Sequence, residues 1–131
     1  MTRIKWLEDF SVQNEEIDNQ HKKWIAIYNK AHDQMMGNIS IDNKSNIGKE
    51  ALKEMINYGK YHFTSEEKFM EEIKFAGIER HKDIHRTLVQ KLSDLDKQIQ
   101  QGTHVLNTEI MKIIETWIVD HIINEDQKYV Q

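Results

Sequence analysis

Seven side chains in this sequence have the types and spacings of a metal site: His21, His62, Glu66, His81, His85, His121 and a carboxylate at Glu125 or Asp126. His62 and Glu66 are four apart in HFTSEE, and His81 and His85 are four apart in HKDIH, so each pair projects from one helix face on successive turns. The five histidines fall on inward stripes where leucine or isoleucine would otherwise sit. A buried imidazole without a partner carries a desolvation cost, and five on converging faces call for a shared one. Imidazole is the commonest metal ligand. Seven ligands exceed the roughly four that one zinc ion takes, and a magnesium or calcium site would be mostly oxygen. Two transition ions are therefore expected. If both carboxylates bridge and a solvent-derived group is seen by both ions, all but one coordination position of two six-coordinate ions is filled. The free position is where a small molecule such as dioxygen would bind. Copper and manganese are compatible with the same donors, and a nitrogen-rich site often holds copper more tightly than iron.

The fourth element leaves two readings open. At roughly 100° per residue, a step of five carries Asp126 well around the helix from His121, whereas Glu125 sits four away. Spacing alone favours Glu125. Asp126 becomes the ligand if the helix is locally loosened by a π-type turn, a distortion often found at functional sites.

These residues need four helices to bring them together. Trp24, Ile25, Tyr28, Ala31 and Met35 mark one face of a helix from about Asp18, the expected N-cap, to Met36, with Gly37 as its stop. After a polar connection, NISIDNKSN, a second block from Leu52 to Met70 ends before Gly77. The third is the most regular: Ile78, His81, His85, Leu88, Leu92, Leu95 and Ile99 alternate steps of three and four before Gly102. The fourth runs from about Asn107 to Tyr129, with Ile110, Ile114, Trp117, Ile118, His121 and Ile122 inward. Four helices of about 20 residues with short connections predict an all-α, up-and-down antiparallel four-helix bundle. Residues 1–17 lack this period but carry Ile4, Trp6, Leu7, Phe10 and Val12, as expected of an N-terminal arm packed across the bundle.

Composition agrees with this plan. The chain has 131 residues, the size of one domain (1–131), with no proline and five glycines, so helices can run long. No cysteine is present, which removes disulfides and thiolate ligands. Net charge is −4 with no basic stripe, so nucleic acid is not an expected partner. No apolar run approaches the roughly 18 residues of a membrane span, and no secretory leader opens the chain; a cytoplasmic protein without a membrane partner is expected. The runs EEKFMEEIK and DLDKQ read as solvated helix faces. Gln20 reads as a surface glutamine, the alternative being that it orients a ligand imidazole. His32 lies about 16 Å along the helix from His21, and both it and His104 read as structural or exposed.

The motifs IDNQH, HFTSE, HKDIH and HIINED, with their helix placement, resemble the bacterial hemerythrins over nearly the whole chain. The resemblance implies a non-haem diiron centre with a bridging oxo or hydroxo group that binds dioxygen reversibly, for oxygen storage, delivery or scavenging. It implies that His81, His85 and His121 hold one iron, that His21 and His62 hold the iron with the open position, and that Glu66 and Asp126 bridge. Asp126 is preferred because the family's step between its last histidine and the bridging aspartate is also five. Reversibility requires a dry pocket, for which Trp24, Phe63, Trp117, Ile118 and Ile122 are candidates, with ordinary bundle core as the other reading of each. No catalytic residue is expected. Two other functions are compatible with the fold: an oxygen or redox sensor acting through a separate partner, and a diiron oxidase. Oxidase-type bundles take most ligands from carboxylates and use Glu-x-x-His pairs, which are absent here. An oxygen-binding protein serving an oxygen-using client, rather than an enzyme, is the expectation.

Overall fold

The computed structural model describes residues 3–36, 41–101 and 108–130. Within them are four long helices, α1 (Glu15–Met36), α2 (Ile41–Glu72), α3 (Ile78–Gln100) and α4 (Thr108–Asp120). They form the expected up-and-down bundle, with α1 packed on α2, α2 on α3, and α4 closing against α1. No strand occurs among the described residues, and none of their helices is long and apolar enough to cross a membrane. Gly37, Gly102 and His104 lie outside the described residues.

Two local expectations, both on where helices start, are corrected. Helix α1 starts at Glu15 rather than Asp18, because Asn14 is the cap: its Oδ1 accepts the Ile17 N–H at 3.0 Å. Asp18 instead holds the arm, accepting the Ser11 hydroxyl at 2.6 Å and the Val12 N–H at 2.8 Å. Helix α2 begins at Ile41, inside the stretch read as a polar connection. That stretch contains no proline or glycine, so the backbone meets no breaker there. At its other end α2 stops at Glu72, before Gly77 as expected. Phe75 N–H bonds the Met70 carbonyl at 2.9 Å and Lys74 N–H the Glu71 carbonyl at 3.1 Å, a Schellman closure with Lys74 in the left-handed region at φ 57°. Gly77 serves the next turn: a Cβ there would lie 2.8 Å from the Phe75 ring.

The arm packs across the bundle as predicted. Ile4 and Asn29 exchange two hydrogen bonds of 2.8 Å, backbone to side-chain amide. Ile4, Phe10 and Val12 are buried, whereas Leu7 stays exposed. Two apolar clusters result. The larger runs along the bundle through Trp24, Tyr28, Leu52, Met55, Leu92, Met111 and Ile114. The smaller, Val12, Ile17, Met70 and Tyr129, closes one end beneath the arm. The candidate site lies between them, since His21 follows Ile17 and precedes Trp24, and Glu66 sits between Phe63 and Met70.

Candidate metal centre

Helix α4 does not continue as an α-helix through its site residues. From His121 to Glu125 the chain widens into a π-helical turn, followed by a 3-10 turn over Asp126–Tyr129. A π turn brings residues five apart onto one face. His121 and Asp126 therefore both point inward, and Glu125 is turned out to Arg80 and Lys128 at 3.2 and 3.1 Å. Of the two readings of HIINED, the geometry brings Asp126 to the other site residues, and the choice on α-helical spacing is corrected.

All seven predicted residues that remain, His21, His62, Glu66, His81, His85, His121 and Asp126, are buried and converge. Two overlapping donor groups form. One comprises Glu66, His81, His85, His121 and Asp126; the other comprises His21, His62, Glu66 and Asp126, and within each group the donor atoms lie within 4.8 Å of one another. Both carboxylates belong to both groups. Asp126 Oδ1 is 2.9 Å from His81 Nε2 and 3.0 Å from His121 Nε2, while its Oδ2 is 2.9 Å from His21 Nε2. Glu66 Oε1 is 2.9 Å from His62 Nε2 and 3.5 Å from His85 Nε2.

Distance and direction disagree in a telling way. His21 Nε2, His62 Nε2, Glu66 Oε1 and Asp126 Oδ2 are buried, within 2.9 Å of one another in pairs, and yet lack aligned hydrogen bonds. His85 Nε2 and His121 Nε2 stand 3.1 Å apart, although two neutral acceptors would repel. Lone pairs aimed at a common point rather than at one another are what a cation between them requires. The donor set of imidazole nitrogen and carboxylate oxygen suits first-row transition ions.

Without a cation, protons do this work. Burial opposes the charged form of His21, but its contacts with Asp126 and Glu66 outweigh it and hold the imidazole up at about 10. His121 is also raised, burial being overcome by Asp126 and then Glu66. For His62 burial wins, and its pKa falls. Both carboxylates stay ionised despite burial, Glu66 through His62, His21 and His85, and Asp126 through His121 and His21. His21 thus keeps its proton at neutral pH beside the two carboxylates, and a metal would displace it on entering.

Three residues support these ligands; for Gln20 the alternative reading holds, and Glu67 and Tyr129 escaped the sequence reading. Gln20, expected on the surface, is buried, and its Oε1 accepts from His62 Nδ1 at 2.8 Å. Glu67, expected on a solvated face, accepts from His85 Nδ1 at 2.9 Å across the α2–α3 interface. Tyr129 donates its hydroxyl to Glu66 Oε2 at 2.5 Å, and burial pushes the phenol pKa up so that it stays a donor. The only hint of the last was its step of three from Asp126.

The pocket candidates separate by position. Phe63 stacks on His85 at 4.0 Å and 12°, and meets the Trp24 ring edge-on at 5.4 Å. Trp24 tilts over His62 at 5.8 Å. Ile118 and Ile122 are buried in the larger apolar cluster. Trp117 is half-buried and lines, with Leu88 and His121, an open groove of about 340 Å³ between α3 and α4. His32 is buried beside Asp33, away from these residues in the chain.

Fold and donor set together define a helical bundle built for cation binding. The sequence profile of the hemerythrin HHE cation-binding domain matches residues 12–131. Relatives named bacteriohemerythrin include one from Pseudomonas aeruginosa, 30% identical over 131 residues, covering 99% of this chain and 81% of the relative. Another, from Methylococcus capsulatus, is 35% identical over 112 residues, covering 86% and 82%. A crystal structure of wild-type hemerythrin superposes with a TM-score of 0.86 at 31% identity, covering 98% of this chain and 96% of the other. The chain belongs to the hemerythrin family.

Proposed function

We propose that this protein binds dioxygen reversibly at a pair of non-haem iron ions, for oxygen storage, delivery or scavenging. The observation that carries the reading is the pair of donor groups sharing Glu66 and Asp126, with three imidazoles on one side and two on the other. His81, His85 and His121 would hold one iron and His21 and His62 the other, with Glu66 and Asp126 spanning both. When bound, the two ferrous ions supply the electrons that dioxygen takes up and returns. An added oxo or hydroxo bridge is part of this reading.

The chain's own part is to position and to keep dry. The half with two imidazoles has fewer protein donors, so a small molecule is expected there. Trp24 and Phe63 pack against ligand rings on one side, and Val12, Ile17 and Met70 close the other end. Excluding water disfavours the loss of reduced oxygen that would leave the site ferric. Five imidazoles against two carboxylates make the site less electron-rich than carboxylate-dominated oxidase bundles, which favours holding oxygen over cleaving it.

Iron per chain, followed by anaerobic titration of the diferrous protein with dioxygen and repeated oxygen removal, tests the reading. Two irons and an optical band that appears and disappears over several cycles are expected. Rapid, irreversible conversion to a ferric form would overturn it.

A further inference from the structure

The rear nitrogens of the ligand histidines are not treated alike. His85 Nδ1 faces a carboxylate, Glu67, at 2.9 Å. His62 Nδ1 faces a neutral amide oxygen, Gln20, at 2.8 Å. The Nδ1 atoms of His21 and His121 are buried and have no hydrogen-bond partner among the described residues. An anionic acceptor therefore backs His85, in the half that also contains His81 and His121, and a neutral acceptor backs His62, in the half that also contains His21.

We propose that Glu67 is a positioning residue that makes the two ions of the centre electronically unequal, by polarising His85 more strongly than Gln20 polarises His62. The inference rests on the diiron reading above. A carboxylate accepting the rear N–H of a ligand imidazole fixes its tautomer and strengthens its donation to the metal. A hydrogen bond to an ionised acceptor is about twice as strong as one between neutral groups. The His85 ring cannot answer by rotating, because Phe63 lies parallel to it at 4.0 Å. The effect of Glu67 is thus passed through the ring to Nε2, on the metal-facing side. Glu67 is 28% exposed, so solvent weakens its charge without removing the directed bond.

Stronger donation stabilises the ferric state of the ion His85 holds. That ion becomes the easier of the two to oxidise, while the ion beside His21 and His62 keeps its pull on a small molecule. Glu67→Gln preserves a rear acceptor of the same length and removes its charge. Gln20→Glu does the reverse on the other half.

Potentiometric titration of the iron-loaded protein, read by mixed-valence electron paramagnetic resonance and Mössbauer spectra, tests this. Wild type is expected to show two distinct one-electron steps and two iron signals. Glu67→Gln should shift the lower-potential step upward by about tenfold in its equilibrium constant, about 59 mV, and draw the two signals together. Gln20→Glu should shift the other step downward by a similar factor, with helicity unchanged. The result that overturns the inference is a wild type with two irons whose potentials and spectra are the same in both variants. A wild type that takes up no iron pair overturns the diiron reading itself, and the inference with it.

Discussion

Replacing Asp126 and Glu125 separately by alanine asks the structure its most direct question, because the two residues are neighbours with opposite environments. The Asp126 carboxylate is fully buried and meets His81, His21 and His121 at 2.9, 2.9 and 3.0 Å. Removing it leaves imidazoles that took their charge balance from it. Breaking a buried pair in this way costs about 3–5 kcal/mol, a large share of the roughly 5–15 kcal/mol that holds a domain folded. Glu125 makes only outward pairs with Arg80 and Lys128, and losing them costs under about 1 kcal/mol. With a urea slope of about 2 kcal/mol/M, the metal-free Asp126→Ala midpoint should fall by about 2 M and that of Glu125→Ala by under about 0.5 M. Iron per chain should follow the same order, since Asp126 belongs to both donor groups and Glu125 to neither. Asp126→Asn, which keeps the shape, should also lose iron while remaining folded. The reasoning fails if Glu125→Ala loses iron and Asp126→Ala retains two ions.

The remaining predictions concern the same site and its supports. Tyr129→Phe leaves a buried oxygen of Glu66 without its donor. A loss of about 1.5–3 kcal/mol in the metal-free protein is expected by denaturation, together with faster iron loss to a chelator. The metal-free protein should be most stable at mildly acidic pH, between the ordinary carboxylate value of 4.5 and the ordinary histidine value of 6.5. His21, raised from 6.5 to about 10, contributes fully below 6.5, and that contribution disappears as pH rises through 10. The depressed Glu66 and Asp126 contribute above their ordinary values of 4.5 and 3.8 and lose that contribution on acidification. Iron loading should remove the alkaline decline, because the His21 nitrogen then holds metal instead of a proton; equal urea midpoints for the metal-free protein at pH 6 and pH 9.5 would contradict this. Uptake of a divalent cation at neutral pH should release protons, measurable with an indicator dye in weak buffer. At the α2 end, Lys74→Gly should raise stability by about 0.5–1 kcal/mol by relieving a left-handed backbone, whereas Gly77→Ala should lower it through the Phe75 ring.

Helix number, bundle class and six of the converging residues were legible because they depend on local periodicity. His62 with Glu66 and His81 with His85 keep the four-residue step of an α-helix, and His21 and His121 lie on the apolar stripes of theirs. Asp126 was not legible from α-helical spacing, since its place depends on the π turn over His121–Glu125, which the sequence left open and the resemblance favoured. Helix starts were misplaced where no apolar period marks them, as at Glu15 and Ile41. The supports Glu67 and Tyr129 belong entirely to the tertiary structure, and Gln20 was legible only as the alternative to a surface position. Each meets a partner 18 to 63 residues away. Sequence determined which donors this protein has and on which helices, because spacing and chemical type are properties of the chain. Packing decided which donors share a point, which nitrogens face a charge and which carboxylate is turned out to solvent, because those depend on how helices distant in sequence meet.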